Sequence, residues 1–379
     1  MKSKFSKILL IITILLMPII IFSSGLLDKK VDKTIIHEKA KVLSINEEKL
    51  KEDSDIPGLS LGYQQIKVEI LTGAFKGEVY NIKNSLSRLY NVHTKEGMEV
   101  ILRIKLKDNN ISDIVVFNYK RDGIIYSLVA LFFIVLIVFG GFKGLKSVVS
   151  LIFTAVMVIF FMLPLFFKGY DPIFITILTI SIVTIISLSM LNGWNRKTLS
   201  AILGTIIGVI IAGIISYTAG NLAHLSGITM NEAEELIYLA GDRGLKVKGL
   251  MFSAILIASL GAIMDVAMSI SSSVFEIHSV DSNLSRKDLF ASGMNVGKDV
   301  MGTMSNTLIL AFTGGSLNIM ILIMAYEMSY RQLINLDLIG IELIQGLAGS
   351  IGIVLTVPIT ALISVVLLTK QTTKSYFKN

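Results

Sequence analysis

Cysteine is absent from the 379-residue sequence, which excludes a disulfide framework, a thiolate metal site and a thiol nucleophile. Charged residues are scarce too: they make up 17% of the chain, whereas 53% of the residues are apolar and the mean hydropathy is +0.72. A soluble globular domain usually carries about 25% charged residues. The composition therefore predicts a protein that lipid, and not water, surrounds over most of its length.

Enzyme signatures are also missing. The sequence has no His-Glu-x-x-His zinc helix and no Gly-x-Ser-x-Gly nucleophile elbow. The run Gly141–Ser147 resembles a phosphate-binding loop, but Leu145 stands where that motif requires a glycine before its lysine. We therefore predict no enzymatic activity, no catalytic residue, no metal site and no cofactor, and an intramembrane enzyme is the weakest alternative.

Long uncharged runs dominate what the sequence does contain. A hydrocarbon core about 30 Å thick needs about 20 apolar residues of helix. Eight runs come close to this length, so we predict an α-helical polytopic membrane protein with eight transmembrane helices, or seven behind a signal peptide. The runs are Ile8–Leu27, Ile124–Gly140, Val148–Phe167, Ile173–Asn192, Leu199–Asn221, Leu250–Ser273, Met301–Ala325 and Leu338–Thr369.

The first run allows two interpretations. It follows Lys2, Lys4 and Lys7 and ends in Ser23-Ser24-Gly25, small residues that suit a signal-peptide cleavage site. Its length favours an uncleaved signal anchor, and a cleaved signal peptide is the alternative.

Basic residues predict the orientation of the chain. The formal net charge is +7, but the Lys and Arg residues cluster in short segments beside the apolar runs, which indicates topology and not nucleic-acid binding. Their distribution favours cytoplasmic N- and C-termini. The basic residues on the predicted cytoplasmic side are Lys143, Lys146, Arg196, Lys197, Arg286, Lys287, Lys298, Lys370, Lys374 and Lys378.

The polar stretch between the first two runs has a different periodicity. Ile66, Val68 and Ile70 alternate with polar residues, and apolar and polar residues alternate in the same way over 98–106. A period of two is typical of strands with one buried face. Asp108-Asn109-Asn110 suits a hairpin turn. Several short strands of this kind predict a β-rich, extracytoplasmic domain that resembles a closed oligonucleotide/oligosaccharide-binding (OB) barrel, with a generic β-sandwich as the alternative.

These patterns divide the chain into four parts: 1-27 is a signal anchor or first transmembrane helix, 28-123 the extracytoplasmic β-rich domain, 124-370 a seven-helix transmembrane domain and 371-379 a cytoplasmic basic tail. A short helix is also predicted over Met230–Leu239, because Thr229 or Asn231 can cap it. The segment Val274–Val300 is interpreted as a cytoplasmic loop.

The sixth run carries the strongest candidate for a functional residue. Asp265 is the only carboxylate well inside an apolar run, and small and polar residues share its helix face. A charge near mid-bilayer costs at least about 2.5 kcal/mol, so we expect this side chain to face another helix or water. An aspartate that only links helices by hydrogen bonds is the alternative. The face comprises Ala254, Ala258, Gly261, Asp265, Ser269 and Ser272.

The last two runs carry further polar faces. In the seventh, Asn306 is expected at a depth similar to that of Asp265, so the two side chains can meet. In the last, a stripe of small and polar residues reaches Pro358, which can interrupt the helix. We therefore expect an ion, proton or substrate pathway lined by Asp265, Asn306, Asp299, Ser269, Thr303 and Thr356.

Two other features are interpreted as structural. Glu342 lies near the outer interface of the last run and is expected to be hydrated. A ridge of small residues on the fifth run indicates close helix packing. The ridge consists of Ala201, Gly204, Gly208 and Ala212.

Two strings resemble a known family. They are Gly261–Ile270, which reads Gly-Ala-Ile-Met-Asp-Val-Ala-Met-Ser-Ile, and Ser292–Thr307, which reads Ser-Gly-Met-Asn-Val-Gly-Lys-Asp-Val-Met-Gly-Thr-Met-Ser-Asn-Thr. Both are similar to the YibE/F-like family of bacterial multi-pass membrane proteins, over residues 125–370 and more loosely over the strand-rich segment before them. The resemblance implies a bacterial cell membrane and no settled activity.

We therefore expect a transporter or permease-like protein that lies in the lipid bilayer and moves an unknown small solute or ion. The alternative is a non-transporting accessory or signalling protein whose outer β domain binds a partner protein or an envelope component.

Overall fold

The computed structural model describes residues 2–25, 34–108, 110–227, 235–236, 238 and 244–376. The chain divides into two compact units: one is Asp28–Val135, and the other combines Met1–Leu27 with Leu136–Asn379. Strands dominate the first unit and helices the second. The helix predicted over Met230–Leu239 lies largely outside the described residues.

The first unit contains a five-stranded antiparallel half-barrel in the order β3-β2-β1-β4-β5. The long central strand β1 pairs with both β2 and β4, and the edge strands β3 and β5 contact each other on the open side. This architecture confirms the predicted β-rich domain. The strands are β1 (Ile35–Glu52), β2 (Ser60–Ile70), β3 (Val79–Leu86), β4 (Glu99–Lys107) and β5 (Asn110–Tyr119).

Alternating side chains explain why these segments form one curved sheet. Ile66, Val68 and Ile70 of β2 are fully buried, whereas Lys67 between them is exposed. Two register shifts in β1, one of them next to Val42, bend that strand, because a bulge adds a residue on one side of the ladder. The bend lets the sheet close over a single apolar core.

Helices form most of the remaining described chain. Six of them, or seven if one bent pair is a single span, are long and apolar enough to cross a membrane. This finding supports the predicted class of protein. The predicted number of eight spans stays a prediction. The helical elements are α1 (Lys2–Ser23), α2 (Asp122–Val156), a π-helical segment (Met157–Met162), α3 (Leu163–Phe167), α4 (Pro172–Asn192), α5 (Arg196–Leu222), α6 (Val247–Val280), α7 (Arg286–Gly315), α8 (Leu317–Ala325), α9 (Tyr330–Ile334) and α10 (Asp337–Tyr376).

The second and third predicted runs are joined in one 46-residue apolar stretch, Asp122–Phe167. Such a stretch is about 69 Å long as a straight helix, roughly twice the thickness of the hydrocarbon core. Gly141 interrupts it, with a φ of 53° and a ψ of −134° that no helix has. Beyond the break, Gly144 approaches the carbonyl oxygen of Leu136 so closely that a Cβ atom would not fit. The chain therefore turns at Gly141, between the two predicted runs.

The helices α5, α6, α7 and α10 pack around one apolar core that includes Val357. Small residues bring α5 and α10 together: a Cβ atom at Gly204 would collide with Thr360, and one at Gly208 would collide with Thr356. These contacts confirm that the ridge of small residues on α5 is a packing surface.

The first helix packs into the same unit, against α4 and the π-helical segment. Ser6, Leu10, Thr13 and Met17 recur at helical spacing and are all buried. The hydroxyl of Ser6 donates a 2.6 Å hydrogen bond to the carbonyl oxygen of Met190 in α4. These contacts show that α1 packs as part of the second, helical unit.

The segment Val274–Val300 is mostly helical, so its interpretation as a loop is wrong. α6 continues to Val280, and α7 begins at Arg286, after the N-cap residue Ser285. Hydropathy locates only the apolar part of a helix, and both helices continue beyond it. Asp299 consequently lies more than three turns inside α7.

Candidate functional site

Asp265 lies on the open side of α6. Its side chain is exposed, and it forms no ion pair or hydrogen bond with the described part of the chain. The other sides of α6 contact α4, α5, α7 and α10. The carboxylate therefore occupies the face of α6 that these four helices leave uncovered.

The small residues around Asp265 are uncovered as well. Ala254, Ala258 and Ser269 are exposed, and a Cβ atom added at Gly261 would meet nothing within 4 Å. We expected this face to meet another helix or water, and none of the described helices packs on it. The face is therefore available to water, to a solute or to another protein chain.

Polar residues form a second open face on α7. Asp299, Thr303 and Asn306 are exposed, and the hydroxyl of Thr303 donates a 2.9 Å hydrogen bond to a main-chain oxygen one turn earlier. On the opposite side of the helix, Gly297 and Leu308 are buried against α6 and α10. The polar face consequently points away from the helix core.

Thr356 lies apart from both open faces. It is fully buried against Gly208 of α5, and its hydroxyl donates a 2.7 Å hydrogen bond to the carbonyl oxygen of Gly352. The structure thus groups Asp265 with Ser269 on α6, and Asp299 with Thr303 and Asn306 on α7. It shows no hydrogen bond between the groups within the described residues.

A buried serine cluster was missed from the sequence. Ser200, Ser271 and Ser364 come from α5, α6 and α10, and all three are fully buried. The hydroxyl oxygens of Ser200 and Ser271 are 2.5 Å apart, Ser364 donates to Ser200 at 3.1 Å, and Ser271 donates to the carbonyl oxygen of Lys197 at 2.8 Å. The cluster ties three helices together. The three serines are far apart in the sequence, and Ser271 is one of four serines within 269–273, so only their meeting in space reveals the cluster.

The half-barrel has a cleft of about 200 Å³ between β3 and the β4–β5 hairpin. Lys83 and Arg103 border it, and neither forms an ion pair within the described residues. Tyr90 and Phe117 add exposed aromatic rings. The ammonium group of Lys83 lies 4.4 Å from the ring centre of Tyr63. Cationic and aromatic side chains therefore surround this cleft.

No metal-binding group is evident in the part of the chain that the structure describes: no three His, Asp or Glu side chains lie close enough to hold an ion. The candidate sites are therefore the two open polar faces of the helical unit and the cationic cleft of the half-barrel.

The described chain is largely helical: it combines one five-stranded half-barrel with several helices that are long and apolar enough to cross a membrane. Residues 128–370 match the model of the YibE/F-like protein family, and residues 35–116 match the YibE/F family N-terminal domain. The chain therefore belongs to the YibE/F-like family, as its two strings indicated. No curated protein and no solved structure matches it significantly.

Proposed function

We propose that the chain is a permease-like transport protein of the bacterial cell membrane, and that Asp265 contacts the transported ion, proton or small solute. One observation carries the proposal: an acidic side chain lies on an apolar helix, exposed and without a partner in the described residues. A carboxylate in hydrocarbon costs at least about 2.5 kcal/mol, so water, a solute or protein must cover it.

The length of the polar face on α7 favours an aqueous pathway over a single link between helices. Asn295, Asp299, Asn306 and Thr313 are all exposed along it. From Asn295 to Thr313 the helix rises about 27 Å, so the face begins in the polar end of α7 and continues into the apolar run Met301–Ala325. One polar residue is enough to link two helices in a bilayer. A row of polar residues of this length can instead line a path for a solute through the bilayer.

The pathway runs along the outer faces of α6 and α7, because the core between the helices is filled. Leu256, Ile263 and Ile270 are fully buried there. Thr356, which was expected on the pathway, packs against α5. A second wall, placed against the open faces by another chain, completes the pathway.

The absence of cysteine allows a direct test by single-cysteine labelling. We expect Asn306→Cys to react with a water-soluble, membrane-impermeant methanethiosulfonate, because the reactive thiolate needs water. Leu362→Cys is the matched control: Leu362 is 56% exposed on α10 but lies on an apolar face. It should react at least about tenfold more slowly. Equal rates at the two positions would contradict an aqueous pathway.

Flux measurements test the role of Asp265 itself. Asp265→Asn keeps the size of the side chain and removes its charge, so the flux of protons or cations into dye-loaded proteoliposomes should fall to background. Glu276→Gln, which removes an exposed carboxylate from the same helix, should leave flux unchanged. Wild-type flux in Asp265→Asn would reject this residue as the contact.

The cleft of the half-barrel favours a second candidate function, an accessory protein whose OB-like outer domain binds an anionic envelope component. A five-stranded, partly open barrel resembles the OB architecture. Lys83 and Arg103 are free to pair with the anionic groups of such a component. Tyr90 and Phe117 can stack on any rings that the component carries.

Charge reversal tests this second function. The full chain should elute from a dextran sulfate column at lower salt when Lys83→Glu and Arg103→Glu are combined, because both cations border the cleft. Lys67→Glu with Lys105→Glu makes the same change in net charge elsewhere on the half-barrel. Identical elution of the two double variants would contradict a binding site in the cleft.

A further inference from the structure

A cavity of about 320 Å³ lies beside the break between α7 and α8. α7 ends at Gly315 and α8 begins at Leu317, and the two axes are bent by 58°. Side chains from α7, α8, α9 and α10 line the cavity, and most of them are apolar. They include Ile309, Phe312, Ile319, Met320, Leu343 and Leu347.

Three polar side chains line this cavity, and one of them has no partner. The hydroxyl of Thr313 donates to a main-chain oxygen at 2.8 Å, and that of Ser316 does so at 3.0 Å. Glu342 of α10 is half-buried in the wall and forms no ion pair or hydrogen bond with the described residues. The cavity therefore presents one unpaired carboxylate in an apolar surround.

The ends of two helices meet at the cavity, the C-terminus of α7 and the N-terminus of α8. Thr313 and Ser316 belong to the last turn of α7 and to its C-cap, and both line the cavity. The C-terminal end of a helix carries a partial negative charge and favours cations. α8 begins at Leu317, and the partial positive charge of its N-terminus offsets this effect, so Glu342 is the group that selects for positive charge and against a second carboxylate.

We propose that this cavity binds an amphiphile that has at least one apolar chain and a protonated amine, with the amine paired to Glu342. The volume lies at the lower end of the roughly 300–1,000 Å³ typical of small-molecule sites. Gly346 keeps one wall open, since a Cβ atom there would come no closer than 4.0 Å to Phe312. A free long-chain amine and an amine-bearing membrane lipid share this chemistry. Asp265 does not line the cavity, and the proposal does not rest on the transport function, although Thr313 belongs both to the cavity wall and to the polar face of α7.

Binding of radiolabelled dodecylamine to the full chain tests the proposal. The protein is placed in phosphatidylglycerol nanodiscs, which contain no amine, and dodecanol and dodecanoate serve as competitors with the same chain length. We expect the amine to bind at least about tenfold more tightly than the alcohol, because a charge-assisted hydrogen bond to Glu342 is stronger than a neutral one. The dodecanoate should bind more weakly than either.

Variants separate the carboxylate from the cavity. Glu342→Gln should remove the preference for the amine and leave dodecanol binding in place. Gly346→Leu should weaken the binding of both by filling the cavity, and Ile309→Phe does the same from the opposite wall if the first variant does not fold. Glu327→Gln, an exposed carboxylate outside the cavity, is the control that should change nothing.

Adding phosphatidylethanolamine to the nanodiscs identifies the source of the amine. Competition with dodecylamine assigns the site to an aminolipid, and the absence of competition assigns it to a free amine. Equal affinity for amine, alcohol and carboxylate in the wild type overturns the proposal, as does an unchanged preference for the amine in Glu342→Gln.

Discussion

Asp53 closes the turn after β1 by accepting four hydrogen bonds. Two come from the guanidinium of Arg88, at 2.5 and 2.8 Å, and two from the backbone amides of Asp55 and Ile56, at 2.8 and 3.2 Å. The Arg88 guanidinium above all, and then the Asp55 amide, hold the pKa of the buried Asp53 carboxyl below its usual value. One side chain thus joins the β1–β2 turn to the segment after β3.

The pKa of Asp53 predicts an acid-sensitive half-barrel. Because the folded pKa lies below the unfolded value of about 3.9, the stabilisation is complete above that value and is lost as the pH falls through the folded pKa. We predict that the amides of residues 53–56 gain protection from hydrogen exchange between about pH 3 and pH 5 in the wild type, after correction for intrinsic rates. Asp53→Asn should show little of this gain. Asp113→Asn, at an exposed position of β5, should behave as the wild type does.

Asp265 shows which properties of a single residue can be predicted from the sequence and which cannot. Its rarity as a carboxylate in an apolar run, and the small residues on its face, were visible in the sequence. Whether another helix covers that face depends on where four other helices pack, and no local pattern carries this information. Glu342 is a similar case, because its position in a cavity depends on the bend between α7 and α8.

At the scale of elements, hydropathy predicted where most helices lie and missed where they end. The apolar runs match the central parts of α4, α5, α6 and α10. The polar ends of α6 and α7 continue the helices past those runs, because helical hydrogen bonds form in water as well as in lipid. The turn at Gly141 falls between two predicted runs, which Lys143 and Lys146 separate in the sequence.

The two small-residue faces show why contacts between elements are harder to predict. α5 and α6 both carry small residues at helical spacing, so the two patterns look equivalent in the sequence. Only the face of α5 meets a complementary surface, in which Thr356 and Thr360 fit over Gly208 and Gly204. The face of α6 around Gly261 meets none among the described helices. A pattern of small residues therefore indicates that close packing is possible and does not identify the partner.

For the whole molecule, the two family matches follow the two compact units. The match over residues 35–116 covers the five strands almost completely, and the match over 128–370 begins inside α2. The boundary predicted from the sequence, where period-two alternation gives way to an uncharged run, falls between them. The membrane topology is a further property of the whole chain, because the side on which each segment lies depends on every crossing before it.

Topology is tested by three single-cysteine variants in a chain that has no other cysteine. Ser85→Cys lies in the half-barrel, Lys143→Cys beside the turn at Gly141, and Arg331→Cys in α9, and all three positions are exposed. With cytoplasmic termini and eight crossings, an impermeant maleimide should label Ser85→Cys and Arg331→Cys in intact spheroplasts and should label Lys143→Cys only after lysis. The physical reason is that the basic residues that the variant retains, Lys146 at the turn and Arg196 and Lys197 in the next predicted cytoplasmic segment, hold this turn on the cytoplasmic side. If Lys143→Cys reacts in intact spheroplasts, the 46-residue stretch does not cross the membrane twice, and the orientation of every later helix must be assigned anew.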